Sequence, residues 1–246
     1  MLGSTLLLAL VLPFVTPAVT APIQRCQAEP ATVPPPASPP TVGPGGCQDF
    51  VIIDSRGTNE PQGRSFQFAK MIQETLDTVP GGISVSNPYP ASVAPNSAAN
   101  GSTWLRNYLQ QGVAACPEQK YALLGVSQGA VVTWNAIADL VKDDPIYTAI
   151  DAIVVEGDPF RIPNVPGNVD EHGGDGTKES EGMMRAGSSD ENIAKWALTG
   201  KLLDICYSGD PVCNRQGKSP MDHGKYGGTA EVQTLGAQFL AQHLDN

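Results

Sequence analysis

A serine flanked by glycines, in the pattern Gly125-Val126-Ser127-Gln128-Gly129, is the residue most suited to chemistry. An apolar run, Tyr121–Leu124, precedes it and a helical pattern follows. A sharp strand-to-helix turn needs small flanking residues, and it lifts the Ser127 hydroxyl clear of the backbone. It also places the backbone N–H of Gln128 at a helix N-terminus, where it can donate to an oxyanion. The pattern predicts a nucleophilic serine; the alternative is a glycine-rich connection with a capping serine.

A serine hydroxyl needs a neighbouring base, which is most often a histidine. The chain has three histidines, at positions 172, 223 and 243. His223 lies in a loop just before the last predicted helix, which satisfies the chain order serine, acid, histidine. His172 falls in a segment rich in Gly and Asp, and His243 lies near the end of the terminal helix. We therefore predict His223 as the base.

The acid that orients the imidazole should lie between Ser127 and His223. Asp210 is the preferred candidate, because it falls inside a short loop bounded by two cysteines. Asp158 is the alternative, since it directly follows a predicted strand, although Asp158-Pro159 is also typical of a structural turn. Asp222 adjoins the histidine and should point away from it.

A second oxyanion donor should come from the loop after the first strand. Thr58 in this loop offers both a backbone N–H and a hydroxyl. A threonine that merely caps the next helix fits the composition equally well, so both interpretations stay open.

The elements that must position these residues alternate between strands and helices. Predicted strands span Phe50–Ile53, Ile83–Val85, Tyr121–Leu124, Ala152–Val155 and Leu202–Cys206. Predicted helices span Ser65–Val79, Thr103–Ala115, Ala130–Val141 and Thr229–Leu244. This alternation predicts an α/β fold with a parallel sheet covered by helices on both faces. Residues 164–189, rich in Gly, Asp, Glu and Ser, are predicted to form a long surface insertion.

The N-terminal region divides into two segments. Residues 1–21 contain an apolar core followed by small residues, as in a signal peptide. Residues 22–46 are predicted to be a Pro-rich linker. The folded catalytic domain is then expected over 47–246. No other segment approaches 18 apolar residues, so we expect a secreted, extracellular protein without integral membrane association.

Charge and cysteine usage narrow the function further. The chain carries 25 acidic and 15 basic residues, a formal charge of -10. Such a surface repels phosphate backbones, so we expect no nucleic-acid partner. Five cysteines suit an oxidising compartment. Spacing predicts one disulfide between Cys206 and Cys213, leaving Cys47 and Cys116 for a second and Cys26 unpaired. No pair has the spacing of a zinc knuckle, so no metal site is expected.

Taken together, these segments resemble the cutinases, a family shared with some acetylxylan esterases. The likeness covers nearly all of residues 47–246. The segments that carry it are Cys47 with the following strand, Arg56-Gly57-Thr58, Tyr89-Pro90-Ala91, Gly125–Gly129, Gly157-Asp158-Pro159, Cys206-x-x-Gly209-Asp210-x-x-Cys213 and His223-x-x-Tyr226-Gly227. This chain departs from the family at Val126, where Tyr is usual, and in its longer insertion.

The resemblance implies a three-layer α/β-hydrolase fold with a five-stranded parallel core. It implies a triad on Ser127, Asp210 and His223, an oxyanion hole from Thr58 and Gln128, and the same two disulfides. It also implies an uncovered active site that admits polymeric or interfacial esters. We further expect a monomer that needs no metal or organic cofactor, because the triad chemistry requires none.

The predicted function is therefore that of a secreted serine esterase acting on cutin-like polyester or short acyl esters. Acetylxylan esterase is the alternative within the same chemistry. A catalytically silent relative that binds a wall or a surface is a third hypothesis, and the complete set of Ser, Asp and His argues against it.

Overall fold

Six parallel strands form the central sheet, seen in a computed structural model that describes residues 46–185 and 190–245. They run in the spatial order β2-β1-β3-β4-β6-β5. Their bounds are β1 Phe50–Ser55, β2 Gly82–Ser86, β3 Lys120–Val126, β4 Ile150–Glu156, β5 Asn168–Val169 and β6 Leu202–Ile205. The predicted α/β fold with a parallel sheet is confirmed. The sheet has one strand more than the five expected, because the short β5 pairs with the outer edge of β6.

Helices cover both faces of this sheet and give three layers. Their bounds are α1 Ala69–Thr78, α2 Ser97–Ala115, α3 Gln128–Ala136, α4 Pro145–Ala149, α5 Asp190–Ala197 and α6 Ala230–Leu244. Short 3-10 turns span Pro220–Gly224 and Tyr226–Gly228. Helices α1 and α6 pack on one face, and α2 to α5 pack on the other.

The two faces divide the apolar residues of each central strand by their alternation. In β1, Val51 and Ile53 join the core under α2 and α3, whereas Phe50 and Ile52 join the core under α1 and α6. All four side chains are buried, as expected for a strand covered on both sides. Each such side chain contributes about 1.5–3 kcal/mol of burial free energy. This double burial fixes the strands whose ends carry the polar residues.

Several predicted helix bounds were wrong. Helix α1 begins at Ala69 and not at Ser65, because the Ser65 hydroxyl instead donates to the Glu60 carboxylate at 2.9 Å. Helix α2 begins earlier than predicted, at Ser97. Helix α3 ends at Ala136 and not at Val141, although the next apolar side chains remain buried in the core. Helices α4 and α5 were not predicted.

The insertion that follows β4 is attached to the edge of the sheet. The buried Arg161 forms an ion pair with Asp204 of β6. Its guanidinium also donates to the carbonyls of Val169 at 3.3 Å and Thr177 at 3.2 Å. These contacts anchor the first half of the insertion, while residues 186–189 lie outside the described ranges.

Both predicted disulfides are present. Cys47–Cys116 joins the start of β1 to the end of α2, and Cys206–Cys213 closes the loop after β6. The predicted signal peptide, the linker up to residue 45 and Cys26 lie outside the described residues. Within the described ranges, none of the helices has the length and apolar character needed to cross a bilayer.

Candidate active site

The candidate site lies at the carboxyl-terminal ends of four strands of the sheet, β1, β3, β4 and β6. Four connections leave these ends: the loop starting at Arg56, the turn at Ser127, the turn at Gly157 and the loop starting at Cys206. Ligand sites of open parallel sheets occur outside the carboxyl ends of the strands. The fold therefore brings the sequence-predicted residues to the same edge.

The turn at Ser127 has the backbone geometry of a raised nucleophile. Ser127 has φ 53° and ψ -115°, a conformation that costs a non-glycine residue about 1–3 kcal/mol. A Cβ on Gly125 would lie 2.4 Å from the Gly129 carbonyl oxygen, and one on Gly129 would lie 2.0 Å from the Ser55 carbonyl oxygen. Only glycine fits at these two positions. The Ser127 N–H donates to the Glu156 carbonyl at 3.0 Å, which holds the turn against β4.

His223 and Asp210 form a direct contact. The Nδ1 atom of His223 lies 2.8 Å from Oδ2 of Asp210. The other carboxylate oxygen, Oδ1, accepts the Val212 N–H at 2.8 Å. Asp210 is fully buried, whereas the His223 side chain is 26% exposed. The acid is thus held in the protein while the imidazole reaches the surface.

Ser127 and His223 line the same shallow cleft, which has a volume of about 310 Å³. Thr58 and Phe66 also line it. The predicted nucleophile, base and threonine donor therefore meet in one solvent-accessible space, with the predicted acid directly behind the base.

Gln128 is fixed by its side chain. Its amide Nε2 donates to the Ser92 carbonyl at 2.9 Å, and its Oε1 accepts from the Ser97 hydroxyl at 3.0 Å. The backbone N–H of Gln128, at the start of α3, is thereby left beside the nucleophile. A helix N-terminus favours negative charge, so this position suits an oxyanion donor.

The loop that carries Thr58 is braced by two buried charged residues, Arg56 and Glu60, of which the sequence pointed only to Arg56. The Glu60 carboxylate accepts backbone N–H groups of Gly57 and Phe66, the latter at 3.1 Å. The buried Arg56 guanidinium donates to the carbonyls of Tyr89 and Glu60. In the sequence, only the Arg-Gly-Thr triplet indicated that this loop belongs to the site. The contacts of Glu60 could not be predicted, because they form only when the loop is folded.

Glu156, at the end of β4, is an unexpected feature beneath the cleft. It is fully buried, and neither carboxyl oxygen has a hydrogen-bond partner among the described residues. It pairs in register with Val126, which lines the cleft. Burial, and secondarily the nearby Glu60, raises the pKa of Glu156 well above 4.5. Burial thus favours the neutral, protonated form of this side chain.

The alternative acids are engaged elsewhere. Asp158 accepts from Trp134 Nε1 at 2.7 Å and from the Phe160 N–H at 2.8 Å. Burial, with Asp204 nearby, raises the pKa of Asp158 to about 7. The Asp222 carboxylate contacts Lys225 Nζ at 2.6 Å. Neither side chain makes the imidazole contact that Asp210 makes.

The other two histidines lie away from the cleft. His172 is on the surface, where its Nδ1 contacts the Glu231 carboxylate. His243 is in the last turn of α6, with Nδ1 2.8 Å from the Phe239 carbonyl. No cluster of three or more His, Cys, Asp or Glu side chains within residues 46–185 and 190–245 is arranged to hold a metal ion.

Known proteins with similar sequence and structure give a consistent picture. The family model described as Cutinase matches residues 46–244. Cutinase 4 from Emericella nidulans is 28% identical over 199 residues, covering 79% of this chain and 71% of that protein. The structure of a cutinase-like protein from Cryptococcus sp. is 31% identical, covers 81% of this chain and 97% of that one, and has a TM-score of 0.75.

A second solved structure shares the fold at lower identity. The catalytic core domain of acetyl xylan esterase from Trichoderma reesei is 22% identical, covers 80% of this chain and 99% of that one, and has a TM-score of 0.61.

Proposed function

Because this chain belongs to the cutinase family and is a carboxylic ester hydrolase, we propose that Ser127, His223 and Asp210 are its catalytic triad. The observation that carries the proposal is the position of His223, which contacts the buried Asp210 and lines one cleft with Ser127. A carboxylate at Nδ1 fixes the tautomer in which Nε2 can accept a proton.

The reaction proceeds in two halves. His223 accepts the Ser127 proton as the hydroxyl oxygen attacks the ester carbonyl, and the imidazolium then returns the proton to the leaving alcohol. Water, deprotonated by the same imidazole, attacks the acyl-enzyme, and the imidazolium then returns the proton to the Ser127 oxygen as the C–O bond breaks and the acid leaves. The negative oxygen of each tetrahedral intermediate accepts hydrogen bonds from Thr58 and the backbone N–H of Gln128. One such donor is worth roughly 10²–10³ in turnover.

An apolar or polymeric ester fits the surface around this cleft. Phe66 lines it and is 55% exposed, and Met221, two residues before His223, is 79% exposed. Exposed large apolar side chains at a binding site favour contact with an apolar substrate. We therefore propose cutin-like polyester or short acyl esters as substrates.

Acetylated xylan is the competing substrate, supported by the shared fold with the acetyl xylan esterase structure. Parallel assays on p-nitrophenyl butyrate, polyester particles and acetylated xylan distinguish the two. Preferential release of acetate from xylan would favour the alternative.

We also propose that the protein is secreted, with residues 1–21 as signal peptide, 22–46 as linker and 47–246 as catalytic domain. Two disulfides support this location, because they persist mainly in oxidising compartments.

The direct test uses purified Ser127→Ala and His223→Ala variants with p-nitrophenyl butyrate. Each should lose at least about 10³-fold in kcat, because a triad acts as a unit. Ser102→Ala is the control, since that hydroxyl bonds to Ala98 within α2, at 2.9 Å. If Ser127→Ala hydrolyses the ester at the parent rate, the proposal fails.

A further inference from the structure

Tyr226 places a buried hydroxyl directly on the carboxylate that holds His223. Its OH lies 2.6 Å from Oδ2 of Asp210. This is the same oxygen that faces His223 Nδ1 at 2.8 Å. The Tyr226 side chain is fully buried, and its ring packs edge-on against Tyr207 at a centroid distance of 5.1 Å. Tyr226 therefore touches the acid and not the cleft.

The direction of this hydrogen bond follows from the protonation of the phenol. Burial, and secondarily the charge of Asp210, raises the pKa of Tyr226 well above 10. The phenol thus stays protonated and donates to the carboxylate. With the Val212 N–H on Oδ1, the buried Asp210 accepts from three donors. Donors on both oxygens hold the carboxylate in one orientation.

We propose that Tyr226 is a positioning residue that fixes the Asp210 carboxylate and tunes the basicity of His223. The Tyr226 donor holds Oδ2 in place and draws part of its negative charge away from the imidazole. Removing the donor concentrates charge on the oxygen that faces Nδ1, which stabilises the imidazolium. The carboxylate also loses its orientation. This inference rests on the proposed roles of Asp210 and His223.

The test is Tyr226→Phe, which removes only the hydroxyl, assayed for kcat and KM on p-nitrophenyl butyrate across pH. We expect kcat to fall roughly 10-fold, equivalent to about 1.4 kcal/mol, with KM within about twofold. The acid limb of the kcat/KM profile, which reports the base of the free enzyme, should move up by about half a pH unit or more.

Tyr207→Phe is the matched control. Its side chain is also buried, but its hydroxyl contacts the Thr229 hydroxyl and not Asp210. This variant should keep the parent kcat and pH profile. An unchanged profile in Tyr226→Phe, or an equal change in both variants, would overturn the inference.

A second substitution covers the case in which Tyr226→Phe does not fold. Incorporating 3-fluorotyrosine at position 226 keeps the ring and makes the phenol a stronger donor. The acid limb should then move to lower pH, and a shift to higher pH or none at all contradicts the inference. Activity in His223→Ala equal to the parent would instead refute the proposed function itself.

Discussion

Replacing Glu156 should stabilise the protein, and the gain should grow with pH. The folded state keeps Glu156 protonated to a higher pH than the unfolded chain does, because burial raises its pKa well above 4.5. The unfolded chain releases that proton near pH 4.5. The contribution of Glu156 protonation to the free energy of unfolding is therefore fully present below pH 4.5, and it is lost as the pH rises towards the folded-state pKa. Each pH unit in this window removes about 1.4 kcal/mol.

Two substitutions separate the effect of Glu156 protonation on stability from the cost of burying its polar oxygens. Glu156→Gln removes the proton linkage but keeps a buried polar group of the same shape. Its stability relative to the parent should therefore rise by about 1.4 kcal/mol per pH unit above 4.5. Glu156→Met also removes the two unpartnered oxygens. An unsatisfied buried polar group costs about 1–3 kcal/mol, so the Met variant should be more stable than the parent even in acid.

The assay is urea unfolding of each variant at a series of pH values from about 4 to about 8, analysed by linear extrapolation. Glu118→Gln is the control, since Glu118 is exposed and the same substitution is made there outside the core. A flat difference for Glu156→Gln, or a Met variant less stable than the parent at every pH, would refute the reasoning.

Three further predictions concern the surroundings of the triad. Gly157→Ala should lower kcat on p-nitrophenyl butyrate roughly 10-fold. The added Cβ would lie 2.8 Å from the His223 ring, and position 157 has a φ of +56°, which favours glycine. A kcat equal to that of the parent would contradict this prediction. Replacing Cys206 and Cys213 together with Ala should lower the free energy of unfolding in urea by about 2–3 kcal/mol. It should also lower kcat, since Asp210 lies in the loop that this disulfide closes. Unchanged stability would overturn this prediction. Glu60→Gln should destabilise the folded protein by about 1.5–3 kcal/mol, whereas Glu156→Gln should stabilise it. The reason is that the Glu60 carboxylate accepts hydrogen bonds from the Gly57 and Phe66 N–H groups, which a neutral amide accepts more weakly. A calorimetric melting temperature equal to that of the parent would be inconsistent with these contacts.

The sequence predicted the sheet from its apolar runs, and it predicted the place of the candidate site from the polar residues that follow those runs. Tyr121–Leu124 and Ala152–Val155 are continuous apolar segments, and parallel strands bring their following residues to one edge. The two disulfides followed from cysteine spacing and were confirmed. Strand β5 escaped prediction, because a two-residue strand is too short to show alternation.

Contacts made across the fold could not be predicted from local patterns. Glu156 looks in sequence like a polar residue at a strand end, yet it is buried because β4 lies between β3 and β6. The bond from Tyr226 to Asp210 joins two loops that are separate in sequence. The Glu60 brace depends on how the chain turns after β1. In each case the sequence gives the residue type, and the assembled sheet gives its partner.

The most direct test of the central claim is covalent labelling of the intact enzyme with a fluorophosphonate. This reagent phosphonylates a serine whose hydroxyl is activated by a neighbouring base. Peptide mapping by mass spectrometry should find a single adduct on Ser127, formed at the rate at which esterase activity disappears, and none in His223→Ala. An enzyme that stays unlabelled while hydrolysing esters, or an adduct on another serine, would contradict the account.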